Sequence, residues 1–139
     1  MNKELFNQSG CKDITAYKAI RNVSRQQYYP MVYICSPFSG DVKVNSKNAR
    51  KYSRFAVDKG NIPLAPHLLF PQFMSEETER KLAMHFNYVL LGVCDELWVF
   101  EEKISDGMAH EIDLAKKRKM KIRYFSEELT ESKFGVSKN

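Results

Sequence analysis

Cysteine is scarce in these 139 residues, and the three present, Cys11, Cys35 and Cys94, are far apart with no C-x-x-C pair. This spacing argues against both a disulfide framework and a zinc site, so a reducing cytoplasm is the expected setting and no metal is expected. No apolar run is long enough to span a bilayer, so no membrane association is expected. A leader peptide is not expected either, because Met1-Asn2-Lys3-Glu4 leads into polar sequence instead of an apolar segment. With only six glycines there is neither a Walker P-loop nor a G-x-G-x-x-G fingerprint. Nucleoside triphosphate hydrolysis and dinucleotide redox chemistry therefore have no support, and no cofactor is expected.

Apolar and aromatic residues are plentiful. A hydrophobic fraction of 43%, with nine Phe, seven Tyr and one Trp, suits one globular domain built on a single sheet. The formal charge is +5, and much of it falls in Lys116-Lys117-Arg118-Lys119-Met120-Lys121. Such a run either complements the negative end of a helix or contacts a phosphate backbone. It lacks the interleaved aromatics of a single-strand groove, so the helix reading is preferred and nucleic acid is not the expected partner.

Hydrophobic periodicity orders the chain. Residues 1–30 read as an N-terminal extension with one short helix over 13–22, and residues 31–139 as an α/β domain. Strands are predicted at 31–35, 62–65, 96–100 and 121–125, with Trp98 in the core. Helices are predicted from 45 or 46 to 59, with Gly60 as the stop, from 75 to 93, and from 106 to 119. Strand and helix alternate, which implies a doubly wound, flavodoxin- or Rossmann-like, mainly parallel sheet of four to five strands with helices on both faces. A strand order of 2-1-3-4 places the switch point between the first and third strands, where the 36–41 loop meets the 105–107 loop.

These two turns carry the chemistry. Ser36, Pro37, Phe38, Ser39 and Gly40 form one, and Ser105, Asp106, Gly107 and Met108 the other. Their hydroxyls and exposed backbone N–H groups suit a phosphate or a sugar hydroxyl. Glu111 falls beside the apolar stripe Met108, Ile112, Ala115, about 60° from Met108 at 100° per residue. It is either a solvated helix glutamate or a site carboxylate leaning toward the sheet edge. A lone glutamate among sugar-binding donors suggests a glycosyl-transferring nucleophile. His67, between Pro66 and Leu68, either contacts a ligand or is a structural histidine. Asp95 reads as a structural cap, and Cys35 and Cys94 as small apolar residues with no histidine placed to activate them.

The motifs Val32-Tyr33-Ile34-Cys35-Ser36-Pro37-Phe38-Ser39-Gly40, Ala65-Pro66-His67-Leu68-Leu69-Phe70-Pro71, Cys94-Asp95-Glu96-Leu97-Trp98-Val99-Phe100 and Ile104-Ser105-Asp106-Gly107-Met108, leading to Glu111 and Ala115, resemble the nucleoside 2-deoxyribosyltransferase-like superfamily. That superfamily includes deoxynucleoside-monophosphate N-glycosidases, and the resemblance covers residues 31–125. It implies cleavage or exchange of an N-glycosidic bond in a nucleoside or nucleoside 5′-monophosphate. Glu111 would capture C1′, and Tyr33 would hold its carboxylate. Ser105, six residues before Glu111, would favour a 5′-phosphate over a free 5′-hydroxyl, and the 36–40 loop would line the pocket. A homodimer or larger homo-oligomer is implied.

One position departs from the pattern. Relatives protonate the leaving base with a second carboxylate from the preceding helix, whereas the aligned position here is Asn87. Either His85 or Asp41 serves instead, or the leaving base needs little help, or the protein binds a nucleotide without turnover. A nucleic-acid-binding module using residues 116–121 is the third reading.

Overall fold

The computed structural model describes residues 27–132; the helix expected over 13–22 and Cys11 lie outside the described residues. Five strands form one sheet: β1 Met31–Cys35, β2 Ile62–Leu64, β3 Glu96–Phe100, β4 Lys121–Phe125 and β5 Glu131–Ser132. Their order is β2-β1-β3-β4-β5, so the first four follow the expected 2-1-3-4 arrangement. β1 to β4 pair in parallel, and β5 adds an antiparallel strand beside β4. The connecting helices are α1 Val42–Asp58, α2 Arg80–Gly92 and α3 Asp106–Lys117.

The alternation along β1 and β3 divides the core into two layers, because successive side chains leave opposite faces of a strand. Tyr33, Cys35, Leu97 and Val99 pack with Leu91 of α2 and with Met108, Ile112 and Ala115 of α3. Val32, Ile34, Trp98, Phe100 and Phe125 pack instead with Tyr52 and Ala56 of α1. The second layer is aromatic: Tyr52 stacks on Phe100 with ring centroids 4.3 Å apart, and Phe100 lies 5.0 Å from Phe125. Trp98, as expected, is fully buried.

Two helix starts differ from expectation, each for a local reason. α1 begins at Val42 instead of near residue 45, because the Asp41 side chain accepts a hydrogen bond from the Val44 amide and Asn45 N–H returns to the Asp41 carbonyl. Val42 and Val44 are β-branched and exposed, so neither helix propensity nor an apolar stripe announces this turn. α2 begins at Arg80 instead of 75. Ser75 Oγ accepts from the Thr78 amide, and the Glu79 carboxylate accepts from the Ser75 amide. These side chains close a separate turn before the helix.

The basic run occupies the end of α3 and the turn into β4. Lys116 and Lys117 lie in the last helical turn, and Lys117 pairs with Asp113 at 3.2 Å. Arg118 donates to the Tyr88 carbonyl and lies over the Tyr88 ring at 4.0 Å, tying α3 to α2. Asp95, in the turn from α2 into β3, is structural: its carboxylate accepts from the Met31 amide and the Tyr28 hydroxyl. No helix among the described residues is long and apolar enough to cross a membrane.

Candidate functional site

Strand connections leave in opposite directions from β1 and β3, and loops after three strands meet at their carboxyl ends. A cavity of about 420 Å³ opens there, within the usual range of small-ligand sites. Phe38 and Ser39 reach it from β1, Pro66 and His67 from β2, and Ile104 to Met108 from β3. α2 supplies much of the remaining wall, and Glu111 of α3 completes it.

Glu111 is 8% exposed, although it is a carboxylate. The Tyr33 hydroxyl donates to its Oε2 at 2.7 Å. Its Oε1 is equally buried and takes no hydrogen bond. Burial raises the pKa from an ordinary glutamate value to about 7, and the Tyr33 hydrogen bond works in the opposite direction. Tyr33 is pushed well above the usual phenol range by burial and by the adjacent carboxylate, so it remains a donor at neutral pH. A buried carboxylate with one bare oxygen in a cavity wall is a group held ready for an electrophile or a cation.

α3 begins at this cavity. Ser105 caps it, its Oγ accepting from the Met108 amide at 3.2 Å. The hydroxyl proton remains free to donate outward, and the first-turn N–H groups have no intrahelical acceptor. Gly107 has open space where a Cβ would lie. An anion is therefore favoured at this end of the helix, beside Glu111 one turn further on.

The loop after β1 is held by Asn45, whose side-chain amide donates to the Phe38 and Ser39 carbonyls at 3.0 Å each. Gly40 adopts φ +97°, a conformation that side chains other than glycine's strain to reach. Of this loop, Phe38 and Ser39 line the cavity, whereas Ser36, Pro37 and Gly40 are not among its lining residues. Ser36 Oγ is buried without a partner. Phe38 stacks on His67 with centroids 5.0 Å apart, and burial lowers the His67 pKa against a hydrogen bond to the Ser36 backbone.

The candidates for the missing acid separate clearly. Asn87 lines the cavity, and its Oδ1 is buried without a hydrogen-bond partner. His85 is exposed, stacked near Tyr88 at 6.4 Å, and Asp41 is the exposed cap of α1; neither is among the lining residues. Arg80, Glu76 and His110 also line the wall. Arg80 and Glu76 pair with each other at 2.7 Å. Sequence reasoning had not singled out these three, since charged residues at a helix start look like ordinary solvated ones. The apolar wall of Phe70, Met74, Met84 and Tyr88 was also missed; its one signal is a helix apolar on more than one face.

Cys35 lies beneath the site, fully buried, with its thiol pKa far above the ordinary value because of that burial. Burial likewise pushes Cys94 up to about 12, so both behave as packing residues. Among the described residues no group of His, Cys, Asp and Glu side chains is placed to hold a metal ion.

The fold and cavity together define an α/β protein with a buried carboxylate in the wall of a cavity at the carboxyl ends of its strands. The chain belongs to a family described as a domain of unknown function, DUF7768, whose model matches residues 30–125, from just before β1 to the end of β4. No curated protein matches the chain.

Proposed function

We propose that this protein cleaves or exchanges the N-glycosidic bond of a nucleoside 5′-monophosphate or close relative through a covalent intermediate on Glu111. The observation that carries the reading is the Tyr33–Glu111 pair: one carboxylate oxygen is held at 2.7 Å and the other is bare, in the wall of a ligand-sized cavity. The oxocarbenium-like transition state is cationic at C1′, and a desolvated carboxylate stabilises it more strongly than a hydrated one does. The start of α3, with Ser105 and the open backbone at Gly107, supports a 5′-phosphate.

The residues on which the chain resembles nucleoside 2-deoxyribosyltransferases include this pair. The two core layers and the β2-β1-β3-β4 order support a doubly wound, Rossmann-like arrangement. The free thiols of buried Cys35 and half-buried Cys94 suit a cytoplasmic enzyme. Exposed Leu82, Val89 and Val93 on or just beyond α2 support a homodimer. Light scattering tests this, and the single-chain mass would refute it.

The direct test is base release from ribo- and deoxyribonucleosides and their 5′-monophosphates, followed by chromatography for wild type and Glu111→Gln. Wild type should release base, and the variant should lose at least about a thousandfold, as expected when a nucleophile is removed. A variant as active as wild type would remove Glu111 from the chemistry. Asn87 favours a second reading, a nucleotide-binding protein without turnover. It predicts no base release from any compound, with monophosphate binding retained in Glu111→Gln.

A further inference from the structure

The cavity contains a nucleophile but no evident acid for the leaving base. α2 lines it with Arg80, Ala83, Met84, Asn87, Tyr88 and Leu91, none of which is a carboxylic acid or an imidazole. Glu76 is engaged by Arg80, and Asp106 is exposed in the first turn of α3, on the same helix as Glu111. His110 is exposed and comes from the same helix as Glu111, whereas in-line displacement requires a donor beyond C1′ on the leaving side. Burial disfavours the protonated form of His67.

Glu111 also lacks a cation. The Tyr33 hydroxyl and the Cys35 thiol beside it are both neutral, and no ion pair among the described residues includes Glu111. A buried carboxylate without a positive partner favours a ligand that brings the charge. Phe38 and Phe70 are also in the wall, and aromatic residues suit such a cation. Asn87 adds an amide with a buried, unpartnered Oδ1. This arrangement complements a carboxamide, which both donates to and accepts from another amide.

We propose that the base cleaved at this site is already cationic: a glycosylated pyridinium bearing a carboxamide, as in nicotinamide mononucleotide, which departs as a neutral molecule without needing a proton. The proposal rests on the glycosyl-transfer reading of Glu111. Glu111 Oε1 bonds to C1′ as the C1′–N bond breaks, and the bonding pair returns to the ring nitrogen, cancelling its charge. Water then attacks C1′ and breaks the sugar–carboxylate bond. Ribose 5-phosphate leaves, Glu111 is restored, and one proton passes to solvent. Asn87 orients the leaving carboxamide throughout.

The experiment compares base release by the full chain from nicotinamide mononucleotide with release from the common ribo- and deoxyribonucleoside 5′-monophosphates, for wild type, Glu111→Gln and Asn87→Asp. Wild type should release nicotinamide at least about a hundredfold faster than any ordinary base, the lower range of what a general acid contributes. Glu111→Gln should abolish that release. Asn87→Asp, which restores a carboxyl group, should accelerate release of ordinary bases relative to nicotinamide. Ordinary bases released by wild type as fast as nicotinamide, with Glu111 still required, would overturn the cationic-substrate proposal and leave the glycosyl mechanism standing. No release from any compound would overturn both.

Discussion

Tyr33 and Glu111 set each other's protonation, and the pH dependence of activity follows from that. In the proposed glycosyl transfer Glu111 must be a carboxylate, so the rate should rise with pH through about 7. The Tyr33 hydroxyl opposes the effect of burial by donating to the charged form. In Tyr33→Phe that opposition disappears, the midpoint of the pH–rate profile should move to higher pH, and activity at pH 6 should fall about tenfold. A profile that keeps its midpoint would mean that Tyr33 packs against Glu111 without tuning it.

At the scale of elements, the short strands were legible and the helix starts were not. β1, β3 and β4 have the bounds expected from their apolar, β-rich runs. The starts of α1 and α2 depend on single hydrogen bonds that the Asp41, Ser75 and Glu79 side chains accept from backbone amides, which hydrophobic periodicity does not register. The same limit applied at the site. Glu111 and Ser105 were visible because both sit where a strand hands over to a helix. Of the α2 wall only Asn87 was visible, because most of its cavity side is lined by residues such as Ala83, Met84 and Leu91 that look like ordinary packing. Asp41 illustrates the difference between cap and acid: Asp41→Ala should cost about 1 kcal/mol of unfolding free energy in a urea titration and leave base release unchanged. A loss of activity without loss of stability would restore Asp41 as a proton donor.

The whole molecule carries a cost for its site. Glu111 binds its proton more tightly in the folded chain than in the unfolded one, so the folded state holds more protons between an ordinary glutamate pKa and about 7. Stability should therefore decrease as pH rises through that window, by about 3 kcal/mol at most, and level off above it. Glu111→Gln removes the titration. Urea denaturation at pH 5 and pH 8 should find the variant more stable than wild type at pH 8, with the gap narrowing at pH 5. Equal stabilities at both pH values would show that the carboxylate is hydrated in solution. Stability surrendered at a working residue is a recurring bargain in enzymes.

Pro63 has a consequence for how these molecules meet one another. It is the middle residue of three-residue β2, which ends the sheet, and Ile62 directs its N–H inward to the Pro30 carbonyl. Because backbone donors alternate sides along a strand, the outward-facing donor of β2 would belong to residue 63, and proline has none. At the opposite margin of the described sheet, Arg123 donates two hydrogen bonds to Glu131 of β5, each 2.8 Å. The β2 margin thus resists templating another strand, which guards an α/β, aromatic-rich chain against ribbon-like aggregation. Among the described residues, β2 therefore gives an approaching chain no outward backbone donor to pair with.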